Sequence, residues 1–197
     1  WQHHEHASYC MFGSKKHMMM NIFQNKRMPF YQFGDTTYLE RIPREDWVSF
    51  IIKRFAVGGK SISEDYAGRI CDVVDCYSSY VQQLASDVFL ETESEVDEQS
   101  FTEGVSTLLT QNSELFMTQI AGLTSYQMNF LRAVCAGYRS EFNSKEISNL
   151  FDLGAKSNIT RIKTALIEKE LIDIRGKETF IADPVFKLWF KQKMCPK

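Results

Sequence analysis

The 197-residue sequence has no apolar run approaching the roughly 18–20 residues of a membrane-spanning helix, and its opening residues lack the charged-then-apolar pattern of a secretory signal. A cytoplasmic protein with no membrane partner is expected. Its five cysteines, Cys10, Cys71, Cys76, Cys135 and Cys195, are odd in number and form no C-x-x-C pair, a pattern that suits reduced, mostly buried thiols better than disulfides or zinc. "HHEH", residues 3 to 6, is a chain-end cluster, and adjacent histidines do not converge on one tetrahedral ion without a scaffold; we expect no metal site there. No nucleophile with its base and no paired carboxylates stand out, so no catalytic residue is expected. There is also no starting Met, and the chain opens within what reads as a running segment, so a piece of a longer protein is expected.

A complete phosphate-binding loop is missing as well. "FAVGGKSISED", residues 55 to 65, contains Gly59-Lys60-Ser61, the ending of G-x-x-x-x-G-K-[ST], but the position of the first glycine holds Arg54. The preceding Trp47, Phe50, Ile51, Arg54 and Phe55 recur at helical spacing, whereas a phosphate cradle has to follow a strand. The stretch reads as a glycine turn between two helices, and this chain alone is expected neither to bind ATP tightly nor to hydrolyse it.

What is present is divided by charge. Residues 1–123 carry 10 Lys and Arg against 17 Asp and Glu, a balance of −7, and residues 124–197 carry 13 against 8, a balance of +5. Nucleic-acid contact, if any, belongs to the second part. "ASYCMF" (7–12) and "TTYLERI" (36–42) read as strands with the helix "KKHMMMNIF" between them. From Arg44 to Gly122 the pattern is helical, in four stretches: "REDWVSFIIKRF", "SEDYAGRICDVVDC" with Ser63 as cap, "SSYVQQLASDVF" with Tyr80, Val81, Leu84 and Val88 inward, and "GVSTLLTQNSELFMTQIA". The acidic "ETESEVDEQ" reads as a solvated connection and helix start.

Thr124 and Gln127 then fit a capping box, with Leu123 and Met128 as a hydrophobic staple. A second helix, "SKEISNLFDLG", should bury Ile147, Leu150 and Phe151, capped by Asn143 or Ser144. "NITRIKTALIEKEL", the strands "LIDI" and "TFIA" around Arg175-Gly176-Lys177, and a last helix opened by Asp183-Pro184 complete the order of a winged helix-turn-helix.

Taken together, "SYCMFGSKKHMMMNIF", "PFYQFGDTTYLERIPREDWVSFI", "YVQQLA", "LTSYQMNFLRAVCAG", "SNITRIKTALIEKELIDI" and "FIADPVFKLWF" resemble the C-terminal half of bacterial and archaeal AAA+/STAND-type ATPases, over nearly the whole chain. The resemblance implies a mainly α chain. Residues 1–43 would end a P-loop α/β core, 44–122 would be a helical lid and 123–197 a winged helix-turn-helix. ATP and Mg would be bound only in the full-length parent, whose upstream P-loop domain would be this chain's first partner. Gly13-Ser14, which on the residues alone also reads as a helix cap, would end the sensor strand, with Ser14, Lys15 and Lys16 near the terminal phosphate. The function implied is coupling of nucleotide state to protein or DNA contacts. The alternative is a stand-alone winged-helix transcriptional regulator.

Placing Ile159, Ile162, Ala165 and Leu166 inward turns Ser157, Thr160, Arg161, Thr164 and Glu168 outward, a face with one base and one acid. Lys156 and Lys163 on the flanks and Arg175 and Lys177 in the wing add basic charge. Such a face suits weak, salt-sensitive, sequence-tolerant DNA contact, and a protein surface is the expected main partner.

Overall fold

The computed structural model describes residues 6–13, 16–32 and 34–195, with residues 16–18 described in their backbone only. The described chain divides into two compact units, residues up to Glu40 and residues from Arg41 onward.

In the first unit, α1 (Lys16–Gln24) forms where the Met-rich stretch has helix-forming composition. Its end is fixed by the Gln32 N–H donating to the Phe23 carbonyl (3.0 Å) and by Gln24 Nε2 donating to the Tyr38 hydroxyl (2.7 Å). The strands expected over 7–12 and 36–42 are not formed. Both segments are irregular and largely exposed. A strand needs a neighbour for its N–H and C=O groups, and none lies beside either segment among the described residues.

The second unit is helical apart from one hairpin. Its first layer is α2 (Arg44–Val57), α3 (Glu64–Val73), α4 (Ser78–Glu91) and α5 (Glu98–Ala121). α3 starts at Ser63, whose hydroxyl accepts the Tyr66 N–H, and Glu64 and Asp65 complement the helix dipole in its first turn. α5 begins earlier than its apolar pattern suggested, because Asp97 and Ser100 form a capping box inside the acidic stretch. Trp47, Ile51, Phe55, Ile70, Val81, Leu84, Val88 and Leu108 are buried in this layer. α4 and α5 lie so close that a Cβ on Gly104 would stand 2.8 Å from the Val88 nitrogen and 2.9 Å from its Cα.

The winged helix follows: α6 (Ser125–Cys135), α7 (Lys145–Leu150), α8 (Lys156–Glu168), the antiparallel hairpin β1 (Ile172–Arg175) with β2 (Glu178–Ile181), and α9 (Pro184–Met194). Thr124 and Gln127 form the expected capping box, and Ser144 rather than Asn143 caps α7. Gly176, at φ +63°, makes the hairpin turn, in the left-handed region where a Cβ is costly. One expectation fails in α7. Ile147 is buried and Phe151 is half-buried against the core, but Leu150, the last residue of this six-residue helix, is 63% exposed.

Candidate functional site

The glycine turn can be settled from its hydrogen bonds. α2 closes at Gly58, Gly59 takes φ +76°, and Ser61 pairs with Glu95 in an isolated parallel bridge. The Lys60 ammonium lies over the Phe89 ring, 4.3 Å from its centroid. It donates to the Phe89 carbonyl (2.6 Å) and to that of Thr92, acceptors at the end of α4. Lys60 is therefore a helix C-terminal cation, with two of its three donors used on backbone. No group of three or more His, Cys, Asp or Glu able to hold a metal exists among the described residues.

Ser14 and Lys15 lie outside the described residues, as do His3, His4 and Glu5 of the histidine cluster, and Lys16 is described only as the first residue of α1.

The α8 face has the expected orientation. Ile159, Ile162 and Leu166 are buried, and Lys156, Ser157, Thr160, Arg161, Thr164 and Glu168 are exposed. Thr164 spends its hydroxyl on the Thr160 carbonyl (3.1 Å), which removes one donor from that face. Lys163 departs from expectation. Its ammonium sits 4.8 Å from the Phe142 centroid and 5.9 Å from that of Phe130, and burial depresses its pKa. The helix rotation that buries Ile159 and Ile162 carries Lys163 against the rim of the aromatic core, where its stem packs and its charge meets ring faces.

The wing splits in the same manner. Lys177 is exposed at the hairpin tip. Arg175 is instead drawn back along the hairpin, pairing with Asp173 (3.2 Å) and lying over Phe180 at 5.2 Å. Lys156, Arg161, Arg175 and Lys177 are all exposed, with Arg175 paired to Asp173.

A second arrangement, not anticipated from the sequence, joins the two halves of this unit. Tyr77 donates to the Ala182 carbonyl (2.8 Å), and Tyr80 donates to Asp183 Oδ2 (2.6 Å). Asp183 Oδ1 in turn accepts the Val185 and Phe186 N–H groups (2.8 and 2.9 Å) and so caps α9, as expected. One carboxylate serves the cap and the link at once. Burial first, and then the bond to Asp183, pushes the Tyr80 phenol well above its ordinary pKa. Arg41 stacks 4.1 Å from the Tyr77 ring and donates to the Asp75 side chain (2.6 Å) and carbonyl (2.7 Å). Farther along, Trp189 Nε1 donates to Ser113 (3.0 Å), and Phe116 packs on Phe186 and Trp189 at 5.4 and 5.5 Å. The missed signal was the pair Tyr77 and Tyr80 itself, the N-cap and the third residue of α4, each partly buried with a hydroxyl that seeks an acceptor.

Residues 114–192 match a family model described as "Probable winged helix domain". That stretch begins inside α5 and takes in Phe116. The fold of the chain is also similar to that of a Walker-type ATPase of Pyrococcus abyssi, with TM-score 0.65 and 15% identity, covering 89% of this chain and 49% of that one. The chain thus spans about half the length of that ATPase. No curated protein matches the sequence. The fold is a helical arrangement ending in a winged helix, similar to that of part of the ATPase, and no helix among the described residues is long and apolar enough to cross a membrane.

Proposed function

We propose that the chain is the C-terminal region of an ATP-binding AAA+/STAND-type ATPase, in which residues 1–43 end the α/β core, 44–122 form the lid and 123–197 the winged helix. The observation that carries this reading is the fold likeness to a Walker-type ATPase over 89% of the chain, which leaves half of that ATPase's length to other parts. In this reading ATP and Mg belong to the upstream P-loop domain of the parent, the chain's first partner, and Ser14, Lys15 and Lys16 face the terminal phosphate.

The lid and winged helix then act as a relay. Two tyrosine hydroxyls tie α4 to the start of α9, so a displacement of the lid pulls on the cap of α9 and reorients the winged helix, a hinge type of switch. The surface that changes partners is the α8 face and wing tip, and a protein is its main partner, with only weak DNA contact.

The test is the product of the complete reading frame. We expect a strand and full P-loop upstream of Trp1, binding of Mg-ATP, and a nucleotide-dependent change of amide exchange around Ala182 and Asp183. A reading frame with no P-loop, or a sequence-specific DNA complex of this chain that survives about 200 mM salt and is selectively weakened by Arg161→Ala, refutes the proposal in favour of a transcriptional regulator.

A further inference from the structure

A cleft of about 470 Å³ opens where the winged helix meets the α3–α4 turn, lined by Arg139, Arg175, Lys187 and Lys191 and, on its other wall, by Asp72 and Asp75. Its four bases come from three places that the fold holds fixed. Arg139 follows α6; its carbonyl accepts the Thr179 N–H (2.8 Å), and its Nη1 donates to the Val134 carbonyl (3.0 Å). Arg175 ends β1, and Lys187 and Lys191 stand one turn apart on α9.

The acids do not cancel this charge. Asp72 is gripped by two donors of Arg44 (2.8 and 2.9 Å), which hold its carboxyl below the usual range, and Asp75 is paired with Arg41 (2.6 Å). Asp173 meets Arg175 through a single N–H at 3.2 Å. Arg139, Lys187 and Lys191 have no carboxylate partner among the described residues. Both guanidiniums lie over Phe180, at 4.9 and 5.2 Å, with most N–H donors unspent.

We propose that this cleft binds a di- or polyphosphate group. A surplus of at least three positive charges calls for a compact ligand of high negative charge, and fixed guanidinium forks match phosphate oxygens. The cleft's size is that of a small-ligand site, within the range of roughly 300–1,000 Å³, and its concavity sets it apart from the exposed α8 face. Val73, Ile181 and Leu188 line the same cleft and reduce the water that would screen those charges. The inference does not depend on the chain's belonging to an ATPase.

The experiment is calorimetry of the chain with sodium pyrophosphate, with ADP and adenosine as parallel arms, and a thermal-unfolding series in the same ligands. Pyrophosphate should bind with a sub-millimolar dissociation constant and raise the unfolding midpoint, and Lys187→Ala combined with Lys191→Ala should weaken it by about ten-fold or more. Lys177→Ala and Arg161→Ala should leave affinity within about two-fold, since neither residue lines the cleft. ADP binding as well as pyrophosphate, with adenosine silent, identifies the phosphates alone as the ligand; ADP binding about ten-fold tighter identifies a nucleotide as their carrier. No pyrophosphate binding up to about 5 mM, or equal affinity in the folded double variant, overturns the proposal. So does a cleft that ignores pyrophosphate but supplies duplex-DNA affinity lost in the double variant.

Discussion

Lys60 offers the most direct perturbation, because one substitution separates a structural lysine from a phosphate-binding one. Its ammonium makes two charge-assisted bonds to the Phe89 and Thr92 carbonyls and lies 4.3 Å from the Phe89 ring centroid, half-buried between α2 and the end of α4. A hydrogen bond to a charged group contributes about 1.5–3 kcal/mol, a cation at a helix C-terminus up to about 2, and a partly exposed cation–π contact about 0.5–1. These describe one ammonium and do not add, so Lys60→Ala should cost about 2–3 kcal/mol in all. For a chain of this size that lowers the unfolding midpoint by roughly 5–10 °C. Lys60→Met, which keeps the stem over Phe89, should recover only the smaller packing part. The assay is thermal and urea unfolding followed by circular dichroism, alongside calorimetry with Mg-ATP. A midpoint within about 1 °C of wild type would refute the capping role. Micromolar Mg-ATP binding abolished by Lys60→Ala would refute the reading of the turn altogether.

Tyr80→Phe should cost about 1–2 kcal/mol by removing the bond to Asp183, measured by urea unfolding. Because the folded phenol's pKa is raised above its ordinary 10, Tyr80 adds stability that is fully present below pH 10 and lost as pH rises through the folded value, so the variant should show a flatter decline in alkali than wild type. Gly104→Ala should destabilise by about 1–3 kcal/mol despite its better helix propensity, since the added methyl meets the Val88 backbone; a stabilised variant would mean that α4 and α5 can separate at no cost. DNA binding should fade between about 50 and 200 mM salt and respond alike to Lys177→Ala and Arg161→Ala, as read by fluorescence anisotropy with unrelated duplexes.

The helix starts were legible in the sequence because they are local. Ser63, Thr124 with Gln127, and Asp183 with Pro184 each satisfy a nearby N–H within three residues, and the structure uses all of them. The orientation of α8 was legible for a similar reason, since the spacing of Ile159, Ile162 and Leu166 fixes its buried side. The failures have the opposite character. A strand over 7–12 or 36–42 requires a neighbouring strand, which local spacing does not supply, and burial of Leu150 depended on where α7 stops. Lys163 read as a free base because nothing in its neighbourhood of sequence announces Phe142, and Arg175 because the hairpin pattern does not say which side chains meet across it.

By itself, the sequence determined the order of helices, the winged helix-turn-helix pattern and the absence of a complete P-loop, all properties of spacing over a few residues. Only the tertiary structure decided what the polar groups of that pattern do. It put Lys60 on the end of a helix 29 residues away and joined Tyr80 to Asp183 across 103. It also gathered Arg139, Arg175, Lys187 and Lys191 around one cleft. Buried donors must find acceptors and unpaired charges must find partners or water, but which partner each meets is set by the packing of whole helices, and that lies beyond the reach of local spacing.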